Sequence, residues 1–235
     1  MKNIVITISL ILIMNISSFS IFAQETNSGG GLVSNMIIGA KAGMTYSYFI
    51  ENYKNIFTGS FKGYTGGVYA NYYLKDNIAV GAEINFIEYG ATNIKPSIIY
   101  GDNDNFYKDF DRTNVRIYRL DIPVYGIYHI PGFSGDLQPR IIAGPSFGYN
   151  LQTMAINESN IGATDIKTVS KFDVTERFKS WEYTATAGIG VNLKISSLIF
   201  SVDARYRAGL YNINNRDNSE NFTTGTFILM IGVGL

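Results

Sequence analysis

The chain contains one histidine, His129, and no cysteine, so the side chains that most often activate a nucleophile or ligate a transition metal are nearly lacking. Without cysteine there is no disulfide, no thiolate metal site, no cysteine nucleophile and no lipid-bearing N-terminal cysteine. A hydrolase of the serine type needs a hydroxyl held beside a base. His129 stands beside Pro131 at an expected turn, with no serine spacing to match it, and reads as a solvated turn residue. No catalytic residue is assigned. The carboxylates Asp102, Asp104, Asp109 and Asp111 fall in one connecting segment, but the run lacks the glycine that gives a calcium loop its sharp turn. It reads as a solvated acidic loop, and neither a metal nor a cofactor is expected. Gly188-Ile189-Gly190 is followed by no helix that would receive a phosphate, which leaves two strand glycines.

The remaining residues with chemistry are nine charges on one face of alternating segments: Lys41, Glu83, Arg119, Asp121, Arg140, Glu182, Asp203, Arg205 and Arg207. From Met36 onward no segment keeps a helical period, whereas eight segments alternate apolar with small, polar or charged residues, which is the period of a strand. In Ile199 to Leu210, Phe200, Val202, Ala204, Tyr206, Ala208 and Leu210 share one face, while Ser201, Asp203, Arg205 and Arg207 share the other. Trp181 to Ile195 repeats the pattern, with Tyr183, Ile189, Val191 and Leu193 against Glu182, Thr184, Thr186 and Lys194. The other strands are expected at 36–48, 63–75, 78–90, 114–130, 138–150 and 224–235. The composition agrees: 17 Tyr, 15 Phe and 24 Gly with 5 Pro and 1 Trp suit strands and turns.

Connections between these segments alternate in length. Asp76-Asn77, Pro131 to Leu137 and Ser196-Ser197 are short, whereas 49–62, 91–113, 151–180 and 211–223 are long. An even strand count with short turns at one end and long loops at the other is the pattern of outer-membrane barrels, in which both termini face the periplasm. The expectation is an all-β, eight-stranded antiparallel up-and-down transmembrane barrel over 36–235. Residues 1–23 read as a signal peptide, with Lys2, an apolar run from Ile4 to Met14 and Ile21-Phe22-Ala23 before Gln24, because the run is too short to span a membrane as a helix. Residues 24–35, with Gly29-Gly30-Gly31, read as a flexible linker.

Residue size orients the faces. The nine charges, with Gly39, Gly43, Thr45, Ser47, Asn85, Ser146 and Thr184, mix opposite signs with small side chains and can interlock in a lumen just wide enough for side chains to fill. The opposite face, including Val80, Ile84, Phe86, Leu120, Ile122, Val124, Ile141, Ile189, Leu193, Phe227, Leu229, Ile231 and Val233, is nearly free of charge, and lipid is its natural solvent. Tyr46, Tyr48, Phe49, Tyr72, Tyr73, Tyr89, Tyr128, Phe147, Tyr149 and Tyr211 sit near strand ends and read as interfacial girdles. Pro123 and Pro145 cannot donate a ladder hydrogen bond, so a bulge or a broken pair is expected at each.

Three stretches carry a family resemblance: Leu120-Asp121-Ile122-Pro123-Val124; Pro139-Arg140 running to Ala143-Gly144-Pro145-Ser146; and Asp203-Ala204-Arg205-Tyr206 running to Gly209-Leu210-Tyr211-Asn212-Ile213. On these residues 36–235 resemble the PorT-like outer-membrane β-barrel domain family, a barrel architecture of the OmpA and OmpX kind. The resemblance implies an eight-stranded outer-membrane barrel, and its name-giving type is linked to an apparatus that secretes proteins. The final strand, alternating Phe227, Leu229, Ile231 and Val233, suits recognition by the barrel-assembly machinery, although it ends in Leu235 where many such barrels end in an aromatic residue.

Function is expected to be non-enzymatic, a structural or interaction role through long extracellular loops, above all 151–180. The partners are outer-membrane lipid and an extracellular or secretion-system protein. The 19 basic and 19 acidic residues cancel, which argues against nucleic acid. Three alternatives stay open: a small porin-like channel or secretion component, for which rings of charge set ion preference; a soluble lipocalin-like carrier with an apolar lumen; and a lipid-modifying enzyme acting through His129.

Overall fold

Alternation of buried and exposed residues runs the length of the long strands; in Arg112–His129 every odd-numbered position from Thr113 to His129 is buried. The computed structural model describes residues 35–51, 55–56, 58–95, 99, 112–133, 136–161, 166–215 and 221–235. Within these the strands are β1 Met36–Glu51, β2 Asn55–Ile56, β3 Gly59–Lys75, β4 Ile78–Ile94, β5 Arg112–His129, β6 Leu137–Ile161, β7 Ile166–Asp173, β8 Trp181–Ile195, β9 Leu198–Gly209 and β10 Phe222–Gly234. The segments expected as signal peptide and linker lie outside the described residues, Asn35 apart, as do Asp102, Asp104, Asp109 and Asp111.

Eight strands close on themselves. The order β10-β9-β8-β6-β5-β4-β3-β1 is completed by an antiparallel pairing of β1 with β10, in continuous register from Gly39 opposite Gly234 to Glu51 opposite Phe222. Closure leaves these eight without an edge, as hydrocarbon requires, since unpaired backbone groups there have no water to bond. Strand β2 folds back on the end of β1, and β7 pairs with β6. Tight turns at Asp76-Asn77 and Ser196-Ser197 mark one end of the barrel, here the turn end; Ser196 takes φ 57, the left-handed conformation that two-residue hairpins demand. The opposite end is the loop end.

The connection 151–180 is not the loop expected from sequence. Strand β6 continues to Ile161 and returns as β7, paired from Ile161 opposite Ile166 to Met154 opposite Asp173. Strands β4 and β5 also continue past the barrel wall, so β4 to β7 form a sheet at the loop end. Backbone hydrogen bonding drives this extension: a ribbon satisfies its own donors and acceptors where a 30-residue coil would not.

The two prolines break pairs without shifting register. Beside Pro123 the β4–β5 ladder passes from Ala82 opposite Val124 directly to Asn85 opposite Asp121. On the other side it passes from Pro123 opposite Ser146 to Gly126 opposite Ala143, so Pro145 falls in the gap. The register shift between these strands lies at Tyr118/Arg119 instead, where Leu151 is the extra residue.

The outer face is apolar as expected, with Val80, Ile84, Phe86, Ile122, Val124, Ile141, Ile189, Phe227, Leu229 and Ile231 all exposed. Above it, at the loop end, Arg116 and Glu88 form an outward ion pair at 3.1 Å. Most of the expected girdle faces outward, including a cluster in which Trp181 lies 4.6 Å from Phe147 and 4.4 Å from Tyr149 between ring centres. Phe49, Tyr73 and Tyr89 do not belong to it. Tyr73 packs inward against Ala79, Tyr125, Ile127 and Ile142. Phe49 and Tyr89 are fully buried and face the lumen, because alternation places them on the same side as Ser47 and Glu83, respectively.

Candidate functional site

The nine charges named from sequence all project into the lumen, and none is more than 5% exposed. Five of them form one network. The Lys41 ammonium sits 3.0 Å from Glu83 Oε1 and 2.9 Å from Asp203 Oδ2. Arg140 donates to Asp203 Oδ1 from Nη2 at 2.7 Å. Arg205 forks onto Glu83, Nη1 to Oε2 and Nη2 to Oε1, each at 2.8 Å, and also reaches Asp203 Oδ2 at 2.7 Å. This two-bond fork is the geometry that planar guanidinium and carboxylate groups prefer. Gly190 is required here, since a Cβ on it would run into the Asp203 carboxylate and lie 3.1 Å from Arg140 Nε.

A second group lies toward the loop end. Arg119 pairs with Glu182, whose other oxygen accepts a hydrogen bond from Thr224. Arg119 Nε donates to Asn150 Oδ1 at 3.0 Å. Arg207 approaches Asp121 Oδ1 at 3.2 Å. Charges taken out of water in this way are tolerable only when paired and hydrogen-bonded.

Three tyrosines complete the packing, and sequence reasoning did not place them. Tyr69 presents its ring to Lys41 at 4.4 Å, Tyr125 to Arg205 at 4.8 Å, and Tyr89 to Arg119 at 4.4 Å and Arg207 at 5.3 Å. Each adds cation–π attraction. Two also bond through the hydroxyl: Tyr89 to Glu182 Oε2 at 3.1 Å, and Tyr125 accepting from Arg205 Nη1 at 2.9 Å. A signal was available for two of them, because Tyr89 shares the parity of Glu83 on β4 and Tyr125 that of Arg119 and Asp121 on β5. Strand β3 carries none of the nine charges, so Tyr69 had no such marker.

The polar lumen is only the middle layer. Toward the turn end, Ala79, Tyr125, Ile127 and Ile142 form an apolar cluster with Tyr73 against it. His129 is buried there, stacked on Tyr73 at 5.3 Å, so it is not a solvated turn residue. At the loop end Phe49, Val115, Ile117, Val174, Phe178, Ile213 and Phe222 belong to a larger apolar cluster. Phe222 stacks on Phe49 at 5.0 Å and meets Phe178 edge-on at 6.0 Å.

Loop backbone holds this apolar cap in place. A single 3-10 turn, Thr175–Arg177, follows β7. Val174 N–H donates to Thr153 O at 2.9 Å, and Lys179 N–H to Ile213 O at 2.8 Å. Asn150 donates from its side chain to Lys179 O at 2.6 Å. The segment after β7 thus folds inward over the ion pairs, with Phe178 as its deepest aromatic contact.

The match to a family model decides the membership: the model described as "Outer membrane protein beta-barrel domain" covers residues 22–215. The chain belongs to this outer membrane protein β-barrel family. Searches of curated proteins find no match. Among solved structures, this outer-membrane barrel is similar to Neisserial surface protein A, with 16% identity, 85% of this chain and 96% of that one covered, and a TM-score of 0.45. It is similar to the attachment invasion locus protein Ail of Yersinia pestis, in complex with the heparin analogue sucrose octasulfate, at 11% identity, 86% and 99% coverage and a TM-score of 0.41. It is also similar to OprG of Pseudomonas aeruginosa, at 12% identity, 85% and 93% coverage and a TM-score of 0.44. Likeness this distant carries nothing about what the outer-membrane barrel described here binds.

Proposed function

We propose that this barrel is a sealed, non-enzymatic outer-membrane protein that acts through its loop end, as a structural or interaction module facing outward with both termini in the periplasm. The observation that carries the reading is the filled lumen: nine buried charges engaged with one another, closed above by Phe49, Phe178 and Phe222 and below by Tyr73, Ile127 and His129. A conducting pore keeps its lining charges open to solvent, and these are buried. A soluble carrier would turn its apolar face inward, whereas Ile189, Leu229 and Ile231 are among the most exposed side chains. A serine–histidine couple needs a base bonded to its nucleophile, and His129 Nδ1 has no hydrogen-bond partner.

The sheet of β4 to β7 is the feature a partner would meet, since it stands beyond the apolar belt on the barrel scaffold. The PorT-like motifs at Leu120–Val124, Pro139–Ser146 and Asp203–Ile213 favour a protein of the cell envelope or of a secretion assembly as that partner. Lipid surrounds the belt, and the barrel-assembly machinery is the partner during insertion.

Planar-bilayer recording of the purified full chain tests the seal, and silence is the expected result. Steady single-channel steps would sink it and restore the pore reading. Orientation is tested on intact cells with an external protease: cleavage within 154–173 is expected, and full protection until the outer membrane is opened would reverse the assignment.

A further inference from the structure

Arg207 is the lumen cation with the least complete shell. It is 1% exposed, yet among the described residues Nε, Nη1 and Nη2 all lack a hydrogen-bond partner, and the one carboxylate neighbour, Asp121, approaches at 3.2 Å outside hydrogen-bond geometry. A buried guanidinium with its donors unused is costly, and a bound water or ion is one of the ways native proteins relieve that cost.

Its surroundings on the sheet are donors as well. The ladder sets Thr226 of β10 directly opposite Arg207 on one side and Thr186 of β8 directly opposite on the other. All three side chains are buried on the lumen face, and both threonine hydroxyls are without partners. Directly paired residues on one sheet face have Cβ atoms about 5 Å apart. Three donor groups therefore share one small patch, with the Tyr89 ring on its far side at 5.3 Å from the guanidinium.

Charge selects the ligand. Lys41, Arg119, Arg140, Arg205 and Arg207 face only Glu83, Asp121, Glu182 and Asp203 in the described lumen, five cations to four anions. Water would satisfy the donors and leave the surplus charge, while an anion does both. We propose that the lumen carries a binding site for a small monovalent anion, chloride in the first instance, held by the Arg207 guanidinium and the hydroxyls of Thr186 and Thr226. The site stands apart from the interaction role of the loop end: the anion is a structural counter-ion, sealed in as the barrel closes.

The test uses the full chain folded in detergent, with sodium chloride exchanged for sodium gluconate at constant ionic strength so that general screening is the same in both. The temperature at which the compact form is lost on gels is expected to rise with chloride and to saturate, and not to respond to the bulkier gluconate. Thr186→Val and Thr226→Val keep shape and charge; together they are expected to raise the chloride concentration for half the effect about tenfold, the ratio that 1.4 kcal/mol represents. Arg207→Met should abolish the response where it folds, and the threonine pair decides the matter where it does not. Crystals grown in bromide should show anomalous scattering beside Arg207. Equal responses in chloride and gluconate, an unchanged half-effect in the threonine pair, or ordered water in place of bromide would each overturn the site.

Discussion

The hydroxyls of Tyr48 on β1 and Tyr206 on β9 lie 3.2 Å apart, bridging the outer face of β10, the strand between them. The bridge passes over Gly225, where a Cβ would fall 2.7 Å from Tyr48 Cε2 and 2.9 Å from the Tyr206 hydroxyl. A glycine is needed because the rings lie across the backbone itself. The pair locks the seam at which the first and last strands meet. Gly225→Ala is expected to part the hydroxyls and destabilise the closed barrel by about 1–3 kcal/mol, the usual cost of overpacking. Urea titration of the folded barrel in micelles measures it. A change within about 0.5 kcal/mol, the range of an inert surface substitution, would show that the seam does not depend on this bridge.

The cap at the loop end supports a second prediction. Phe178 reaches Phe49 and Phe222 from a non-strand segment held by backbone hydrogen bonds to β6 and to Ile213. Phe178→Ala removes the ring while leaving those bonds. It is expected to cost about 3–5 kcal/mol, the range for truncating a buried phenylalanine, and to speed hydrogen exchange at Val174 and Lys179 above that of the mid-barrel strands. Unchanged exchange at both amides would mean that the backbone stitches, rather than the ring, hold the cap.

The strands that contact lipid were legible and the elements above them were not, and the reason is periodicity. Strands β8 and β9 were expected at 181–195 and 199–210 and are found at Trp181–Ile195 and Leu198–Gly209, because lipid on one side and charge on the other impose a two-residue period. Beyond the bilayer that contrast ends. In β6 past Leu151, Ala155 and Ile156 are adjacent apolar residues on opposite faces, so the alternation that marks a strand fades just where the ribbon begins. Val174, Phe178 and Ile213 lie in connections with no period at all, and only tertiary packing gives them a place in the core. The nine charges were legible as a face, but not their partners: Lys41 meets Asp203 across 162 positions of sequence, a distance that barrel closure alone removes. Even the layering left a trace, since Val115, Ile117 and Ile127 share the buried face of β5 with Arg119 and Asp121.

Asp203 meets more cations than any other described carboxylate of the lumen, in contact with Lys41, Arg140 and Arg205. Asp203→Asn keeps the shape and removes the charge, leaving three buried cations with Glu83 alone among them. The expected loss is about 3–5 kcal/mol, as for removal of one partner from a buried ion pair. Replacing Lys41 with Met in the same chain should recover part of that loss, because it withdraws one of the stranded cations. Urea midpoints of the two single variants and the double variant close the cycle. Strict additivity would indicate that Lys41 and Asp203 do not act together.

The base of the ribbon should respond to pH. Asp173 Oδ1 accepts hydrogen bonds from the Thr175 amide at 3.0 Å and the Thr175 hydroxyl at 2.6 Å, and Oδ2 accepts one from Gln152 at 3.1 Å. These bonds favour the charged form, the two from Thr175 foremost, and hold the carboxyl below its ordinary value of 3.8. A depressed acid contributes stability that is fully present above its unfolded value and disappears as pH falls through the folded one. The Thr175 amide resonance is therefore expected to hold steady from neutral pH down to about 4, the ordinary aspartate range, and to shift only at lower pH. In Thr175→Val the hydroxyl bond is gone, so the midpoint should move up toward 3.8. A midpoint already at the ordinary value in the unaltered chain would mean that these bonds do not persist in solution, and that the turn leading into the cap is held by its other bonds, among them Val174 to Thr153 and Lys179 to Ile213.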